Sequence, residues 1–240
     1  MLLLAVSWRN LRAENVAPLT DAPAPTLGYM DWSGVATKSK AAMVQFEIDR
    51  GSAVAVGSGV IVDVDADTGE AFVLTNFHVV RDAYQLIAIT SSGQRYLPEI
   101  IGWHNRTDLA LFRICCDTTL GSASLATTDL PLPGSPVLAV GYPIADATTP
   151  TFSGGIVAAL RTHKDSGRDE IQIDAAINSG NSGGALLDPR GCLLGINTYM
   201  VSEIDGSFVG GIGFAIGHTT VQDFLEKHLA SGSEAAAKGC

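Results

Sequence analysis

Residues 174–187 read DAAINSGNSGGALL, with a serine, Ser182, set among Gly180, Gly183 and Gly184. Glycines at such positions let the backbone turn sharply and bring its N–H groups close to a bound group. A serine in a glycine-rich turn is by itself more often only part of a turn. The interpretation of Ser182 as a nucleophile therefore depends on a base and an acid elsewhere in the chain.

A histidine and an aspartate occur upstream in apolar motifs: His78 lies in LTNFHVV and Asp108 in RTDLALF. Serine is a poor nucleophile at its own pKa, so it needs an imidazole as base and a carboxylate that holds the imidazole in the correct tautomer. The order His, Asp, Ser is that of chymotrypsin-like double barrels, whereas subtilisin and the α/β-hydrolases have other orders. The sequence predicts a triad of His78, Asp108 and Ser182.

Over residues 44–216 these motifs resemble the HtrA (Deg) family of trypsin-like serine proteases. The resembling segments are GSGVI (57–61), LTNFHVV (74–80), DLAL (108–111), GYP (141–143), GIV (155–157), DAAINSGNSGGALL (174–187), LGIN (194–197) and GFAI (213–216). The resemblance implies an all-β fold of two six-stranded antiparallel barrels with a C-terminal helix. It also implies a serine endopeptidase that cleaves unfolded or misfolded proteins, with no metal or organic cofactor.

The resemblance also implies roles for residues around the triad. The backbone N–H groups of Gly180 and Ser182 would form the oxyanion hole. Enzymes that cut after Lys or Arg place an acid six residues before the nucleophile, where this chain has Ala176. Together with Ile177, this residue predicts an uncharged pocket for small or medium aliphatic side chains. Asn197, in the LGIN motif, completes the expected substrate-binding set.

Composition limits the classes of protein that fit. The chain has 240 residues, 46% of them hydrophobic, a mean hydropathy of +0.23 and a net charge of −10. This is enough to bury a substantial core. Clustered Lys and Arg that would bind nucleic acid or an anionic membrane are not seen. The apolar run at residues 2–6 is too short to span a membrane. We therefore expect no nucleic acid partner and no membrane span, while the resemblance implies polypeptide substrates.

The distribution of β runs predicts the domain organisation. Two series of six short runs, separated by turn residues, follow an extended N-terminal segment. The first series is 43–48, 53–64, 71–75, 85–90, 95–103 and 109–114, and the second is 137–141, 151–160, 170–173, 185–187, 192–200 and 208–216. A helical pattern near the C-terminus begins at Thr219 or Thr220, either of which can cap it. The predicted units are an N-terminal extension (1–34), a first barrel with His78 and Asp108 (35–126), a second barrel and helix with Ser182 (127–230), and a flexible tail (231–240).

The four cysteines, Cys115, Cys116, Cys192 and Cys240, have neither a Cys-x-x-Cys spacing nor the arrangement of a disulfide framework. We therefore expect small buried thiols. The resemblance further implies a homotrimer assembled through an aromatic N-terminal segment, here Tyr29 and Trp32. It places the protein outside the cytoplasm, in a bacterial periplasm or secreted, or else in an organelle.

Two other functions use the same residues. A binding or scaffold protein on a catalytically silent protease fold is one, although such a protein has little reason to keep all three triad residues in their motifs. A small esterase is the other, but the histidine-first order argues against the usual esterase fold.

Overall fold

The structure, a computed structural model, describes residues 30–126, 130–144, 149–229 and 240. Tyr29 and most of the predicted N-terminal extension and tail lie outside these residues. Trp32, the other aromatic residue predicted to mediate assembly, is half-buried and packs against the core of its own chain.

Strands dominate the part of the chain that is described. The strands are β1 (Met43–Asp49), β2 (Val54–Val64), β3 (Ala71–Thr75), β4 (Gln85–Thr90), β5 (Arg95–Tyr96), β6 (Glu99–His104), β7 (Leu109–Ile114), β8 (Pro136–Gly141), β9 (Thr151–Thr162), β10 (Asp169–Ile173), β11 (Ala185–Leu187), β12 (Leu193–Met200), β13 (Glu203–Ile204), β14 (Ser207–Phe208) and β15 (Gly213–Gly217). The α-helices are α1 (Ser33–Ser39), α2 (Phe77–Val80) and α3 (His218–His228), and a 3₁₀ turn spans Lys40–Ala42.

The first seven strands form one antiparallel sheet in the order β5-β4-β1-β2-β3-β7-β6. The sequence pattern predicts a single strand over residues 95–103, but Pro98 has no N–H to donate, and the run divides into β5 and β6. The fold class is confirmed, with one difference in detail. Strand pairing in the first sheet ends at β5 and β6 and does not close into a six-stranded barrel.

Strands β8 to β12 and β15 form the second sheet, a closed barrel in the order β10-β15-β12-β11-β8-β9. Its neighbouring strands are all antiparallel. One apolar cluster, with Val137, Ile171 and Leu186 among its members, fills part of this barrel. A larger cluster contains residues of the first sheet, of β8, β11 and β12, and of α3. Because this cluster includes both sheets, apolar burial holds them together, at roughly 1.5–3 kcal/mol for each large side chain fully buried.

The C-terminal helix α3 has the predicted apolar face, and Val221, Phe224 and Leu225 are buried. The predicted cap is wrong. The N-cap residue is Gly217, which makes no side-chain cap bond. Instead, Asp169 of β10 accepts hydrogen bonds from the backbone N–H of Thr220 at 2.8 Å and from its hydroxyl. A Cβ on Gly217 would collide with this carboxylate, so the helix start depends on a residue far away in the sequence.

The expectation of free cysteine thiols is also wrong. Cys192 is bonded to Cys240 with the Cα atoms 5.8 Å apart, and Cys115 is bonded to its neighbour Cys116. The Cys192–Cys240 bond joins residues 48 positions apart, so it depends on the tertiary fold and not on a local spacing motif. It attaches residue 240 to the turn before β12.

The helices of the described segments are all too short or too polar to cross a membrane.

Candidate active site

Strand pairing brings His78 and Asp108 together. His78 lies in α2, which follows β3, and Asp108 lies in the turn before β7. Strands β3 and β7 are paired, with Thr75 opposite Ala110. The backbone N–H of His78 donates to Asp108 Oδ1 at 2.9 Å, and Nδ1 of its ring lies 2.7 Å from Oδ2. This contact favours the tautomer with the proton on Nδ1, which leaves Nε2 able to accept one.

The backbone at Asp108 is held in an unusual conformation. Its φ of 59° lies in the left-handed region, which costs a residue with a side chain about 1–2 kcal/mol. The Asp108 carbonyl accepts hydrogen bonds from Asn76 Nδ2 at 3.0 Å and from the Phe77 N–H at 3.1 Å. These bonds connect the turn of the acid to the start of the helix that carries the base.

The Ser182 turn lies between β10 and β11 and depends on glycine. Gly180 and Gly183 have φ of 94° and 86°. A Cβ on Gly180 would collide with the carbonyl oxygen of Tyr142, and a Cβ on Gly183 with that of Ser58. The glycines predicted to allow a sharp turn therefore also allow close contact with backbone on both sides.

Thr198 of β12 connects the serine to the acid. Ser182 Oγ donates to the Thr198 carbonyl at 2.8 Å, and Thr198 Oγ1 donates to Asp108 Oδ2 at 3.2 Å. Thr198 thus contacts both the predicted nucleophile and the predicted acid, and the acid in turn contacts His78. In the predicted triad, the Ser182 hydroxyl would have to leave the Thr198 carbonyl before its proton could pass to His78. The sequence interpretation did not identify Thr198, although it directly follows the LGIN motif.

The two N–H groups predicted to form the oxyanion hole, those of Gly180 and Ser182, have no hydrogen-bond acceptor among the described residues. Their loop is fixed by Ser58, a buried residue of β2. Ser58 Oγ donates to the Gly180 carbonyl at 2.6 Å and accepts from the Tyr142 N–H at 2.8 Å. The Ser58 N–H donates to the Ser182 carbonyl at 3.0 Å. The first sheet therefore holds the loop on both sides of residue 181, a contact that the sequence interpretation missed.

A cavity of about 190 Å³ lies next to the Ser182 turn, between residues 175–178 and 200–213. The described residues that line it have no charged side chain: Ala175, Ala176, Ile177, Asn178, Met200, Val201, Phe208, Val209, Gly210, Gly211, Ile212 and Gly213. Ala176 and Ile177 thus line one cavity. Asn197 does not, because it is fully buried and its amide donates to the carbonyls of Val140 and Ala185 at 3.2 and 2.9 Å. Its position is that of a structural residue of the barrel.

Within the described ranges, no cluster of three or more His, Cys, Asp or Glu has the arrangement of a metal site. A hydroxyl, an imidazole oriented by a carboxylate, and two free N–H groups can together carry out acyl transfer.

Comparisons with known proteins agree with this arrangement. A family model described as a trypsin-like peptidase domain matches residues 57–196. The chain is 38% identical over 181 residues to the probable periplasmic serine endoprotease DegP-like of Buchnera aphidicola subsp. Schizaphis graminum, covering 74% of this chain and 36% of that protein. It is 36% identical over 182 residues to the periplasmic serine endoprotease DegP of Escherichia coli K12, covering 75% of this chain and 37% of DegP.

The chain thus spans well under half the length of these curated relatives. Among solved structures, the serine endoprotease from Yersinia pestis is similar, with a TM-score of 0.69 and 32% identity. The match covers 84% of this chain and 68% of that one. The predicted resemblance is confirmed, and the chain belongs to the trypsin-like serine proteases of the HtrA (Deg) family.

Proposed function

We propose that this chain is a serine endopeptidase whose nucleophile is Ser182, with His78 as its base and Asp108 as the acid that orients the base. The observation that carries the proposal is the connected set of contacts from Ser182 through Thr198 to Asp108 and His78. Family membership supports the same chemistry.

In the first half of the reaction, Ser182 Oγ attacks the carbonyl carbon of a peptide bond and His78 Nε2 takes the hydroxyl proton. Asp108 stabilises the resulting imidazolium through the 2.7 Å contact with Nδ1. The imidazolium then protonates the leaving amine, and an acyl-enzyme remains on Ser182. In the second half, His78 activates a water molecule that hydrolyses this ester and restores the serine.

The developing oxyanion would accept hydrogen bonds from the N–H groups of Gly180 and Ser182. In related enzymes, the loss of one such donor lowers turnover by roughly 10²–10³. The Ser58 contacts support this role, since they fix the Gly180 and Ser182 carbonyls on the far side of the same loop.

Ser58→Ala is expected to lower kcat on the order of tenfold with little change in KM, because it loosens the oxyanion loop and leaves the substrate pocket intact. It would also leave the Gly180 carbonyl and the Tyr142 N–H without the Ser58 hydroxyl as a partner. This loss should lower the free energy of unfolding by about 1–3 kcal/mol. Steady-state kinetics and thermal unfolding measure the two effects. Ser52→Ala, at an exposed position just before β2, is the matched control. An unchanged kcat would show that the Ser58 contacts do not support catalysis.

We further propose that the 190 Å³ cavity receives the side chain that precedes the cleaved bond. The uncharged lining supports a preference for small or medium aliphatic side chains such as Val, Ala, Ile or Leu. Burial of such a side chain supplies about 1.5–3 kcal/mol. A peptide library cleaved mainly after Arg and Lys would contradict this preference.

Ala176→Asp tests the cavity directly. A carboxylate at this position would disfavour the burial of an apolar substrate side chain and would attract a cationic one. We expect kcat/KM for a substrate cut after valine to fall on the order of tenfold to a hundredfold, with a relative gain for substrates cut after Lys or Arg. Ser202→Asp adds the same charge to an exposed neighbouring residue that does not line the cavity, so it serves as the control. If both variants change the preference equally, a general charge effect is at work and residue 176 does not determine specificity.

The natural substrates that we propose are unfolded or misfolded polypeptides outside the cytoplasm. The basis is family membership and the similarity to two periplasmic serine endoproteases. A cleavage profile of denatured proteins beside their folded forms tests the first part, and fractionation of the source cells tests the second.

A further inference from the structure

Arg168 is a buried arginine that lies beside the proposed triad without belonging to it. It is in the turn that leads into β10 of the second barrel, and its side chain is only 7% exposed. Its guanidinium reaches the turn of the first sheet that carries Asp108. A buried arginine needs partners for its charge and its five N–H donors, so the contacts of this group indicate what it does.

One side of the guanidinium faces the acid. Nη1 donates to the carbonyl of Thr107, the residue before Asp108, at 3.2 Å, and lies 4.0 Å from Asp108 Oδ2. Asp108 has a left-handed backbone, so a bond to the preceding carbonyl helps to hold the turn in that conformation. The same group places a positive charge near the carboxylate that stabilises the imidazolium.

The other side is neutralised by Glu170, whose side chain is 4% exposed. Arg168 Nε and Nη2 donate to Glu170 Oε1 at 3.1 and 2.8 Å. Glu170 Oε2 accepts from the hydroxyl of Tyr199 at 3.1 Å, and the Tyr199 ring stacks on Phe214 with the centroids 4.7 Å apart. Burial, followed by the nearby Glu170, raises the pKa of Tyr199 to about 12, so this hydroxyl remains a donor at neutral pH.

Four further titratable groups line a cavity of about 250 Å³ that Arg168 and Thr107 also line. They are His104, at the end of β6, and Asp223, Lys227 and His228 of α3. Among the described residues, none of these four has a hydrogen bond or ion pair with His78 or Asp108. Arg168 is therefore the cation that directly faces the carboxylate of the acid, besides His78 itself.

We propose that Arg168 is a positioning residue for the triad: it fixes the turn of Asp108 and, balanced by Glu170, sets the basicity of His78. The inference rests on the proposed function, because it assumes that His78 is the base. Removing Arg168 takes a positive charge away from the imidazolium, which becomes easier to form. Removing the charge of Glu170 leaves the guanidinium unbalanced, and the imidazolium becomes harder to form.

The two charge changes should move the pH profile in opposite directions. The acid limb of kcat/KM reports protonation of the base in the free enzyme. For Arg168→Met we expect this limb to move to higher pH by about half a unit, and for Glu170→Gln to lower pH by about the same amount. In the double variant Arg168→Met/Glu170→Gln, which leaves no lone buried charge, the limb should return toward that of the unmodified chain. Simple destabilisation of the fold does not produce opposite shifts.

Arg168→Lys separates charge from position. Lysine keeps the positive charge but has no planar fork, so it cannot bond Thr107 and Glu170 in the same way. We expect an acid limb close to that of the unmodified chain, with kcat lower on the order of tenfold and KM changed less than about twofold. Arg161→Met, at an exposed arginine of β9 that bonds Gln172, is the control and should leave kcat, KM and the pH profile unchanged.

Circular dichroism and thermal unfolding establish which variants fold. If Arg168→Met does not fold, Glu170→Gln, the double variant and Arg168→Lys still decide the matter. Unshifted acid limbs in the folded charge variants, together with an unchanged kcat in Arg168→Lys, would overturn the role of Arg168. That result is distinct from failure of the proposed function, which would appear as full activity of a Ser182→Ala preparation.

Discussion

Ser182→Ala is expected to lower kcat about 10⁶-fold, as loss of the nucleophile does in related triads, because no other hydroxyl can form the acyl-enzyme. The fold should remain, since the change removes only the hydrogen bond from Oγ to the Thr198 carbonyl, worth about 0.5–1.5 kcal/mol. Cleavage of casein and of a fluorogenic peptide with valine before the cleaved bond measures the loss. Thermal unfolding checks that the protein is folded.

Reaction with a serine-directed phosphonate gives an independent measurement. The unmodified chain should gain the mass of one phosphonyl group, and Ser182→Ala should gain none. Ser179→Ala makes the same substitution three positions earlier, at an exposed serine of the same turn. This variant should cleave casein, react with the phosphonate and be inhibited by it like the unmodified chain. Normal casein cleavage by pure Ser182→Ala would refute the assignment. An unmodified chain that is folded but neither cleaves nor labels would favour the catalytically silent scaffold.

The sequence predicted strands best where turn residues lie close on both sides. Strands β3, β4, β7 and β11 have the predicted bounds, and each is a short run of apolar residues between turns. The run expected over residues 208–216 is different, because Gly210 and Gly211 lie within it. In the structure, the β13–β14 hairpin ends at Phe208 and β15 begins at Gly213. Local patterning therefore located the strands, and its two largest errors occurred where Pro or Gly interrupted a run.

The three residues that we propose as the triad could be singled out from the sequence because each lies in its own local motif and the chemistry requires the combination. Its supporting contacts were not. Ser58 and Gly180 are 122 positions apart, Thr198 and Asp108 are 90 apart, and Arg168 and Thr107 are 61 apart. Such contacts depend on how two sheets pack, which periodicity and spacing do not specify. The same reasoning applies to Asp169, which caps α3 from another strand, and to the bond between Cys192 and Cys240.

Asp108→Asn should lower kcat about 10⁴-fold at neutral pH, through the tautomer of His78. The Asp108 carboxylate faces donors on every side: the His78 N–H at 2.9 Å, His78 Nδ1 at 2.7 Å, the Thr198 hydroxyl at 3.2 Å and the Arg168 guanidinium at 4.0 Å. An asparagine has one acceptor oxygen and one donor NH₂ group. If its oxygen accepts from the His78 N–H, its NH₂ points at Nδ1, which must then be unprotonated in order to accept this hydrogen bond. The ring proton then lies on Nε2, and a protonated Nε2 cannot take the proton of Ser182.

A matched control distinguishes this effect from backbone strain. Asp82 also has a left-handed backbone, with φ of 64°, and is an exposed residue that has no hydrogen bond or ion pair with the triad among the described residues. Asp82→Asn makes the same chemical change at a similar φ and should leave kcat unchanged. For Asp108→Asn, KM should change little, because the 190 Å³ cavity is not altered. Phosphonate labelling should slow in parallel with kcat, since it uses the same base. A loss of tenfold or less in kcat, with the protein folded, would mean that Asp108 does not control the tautomer of His78.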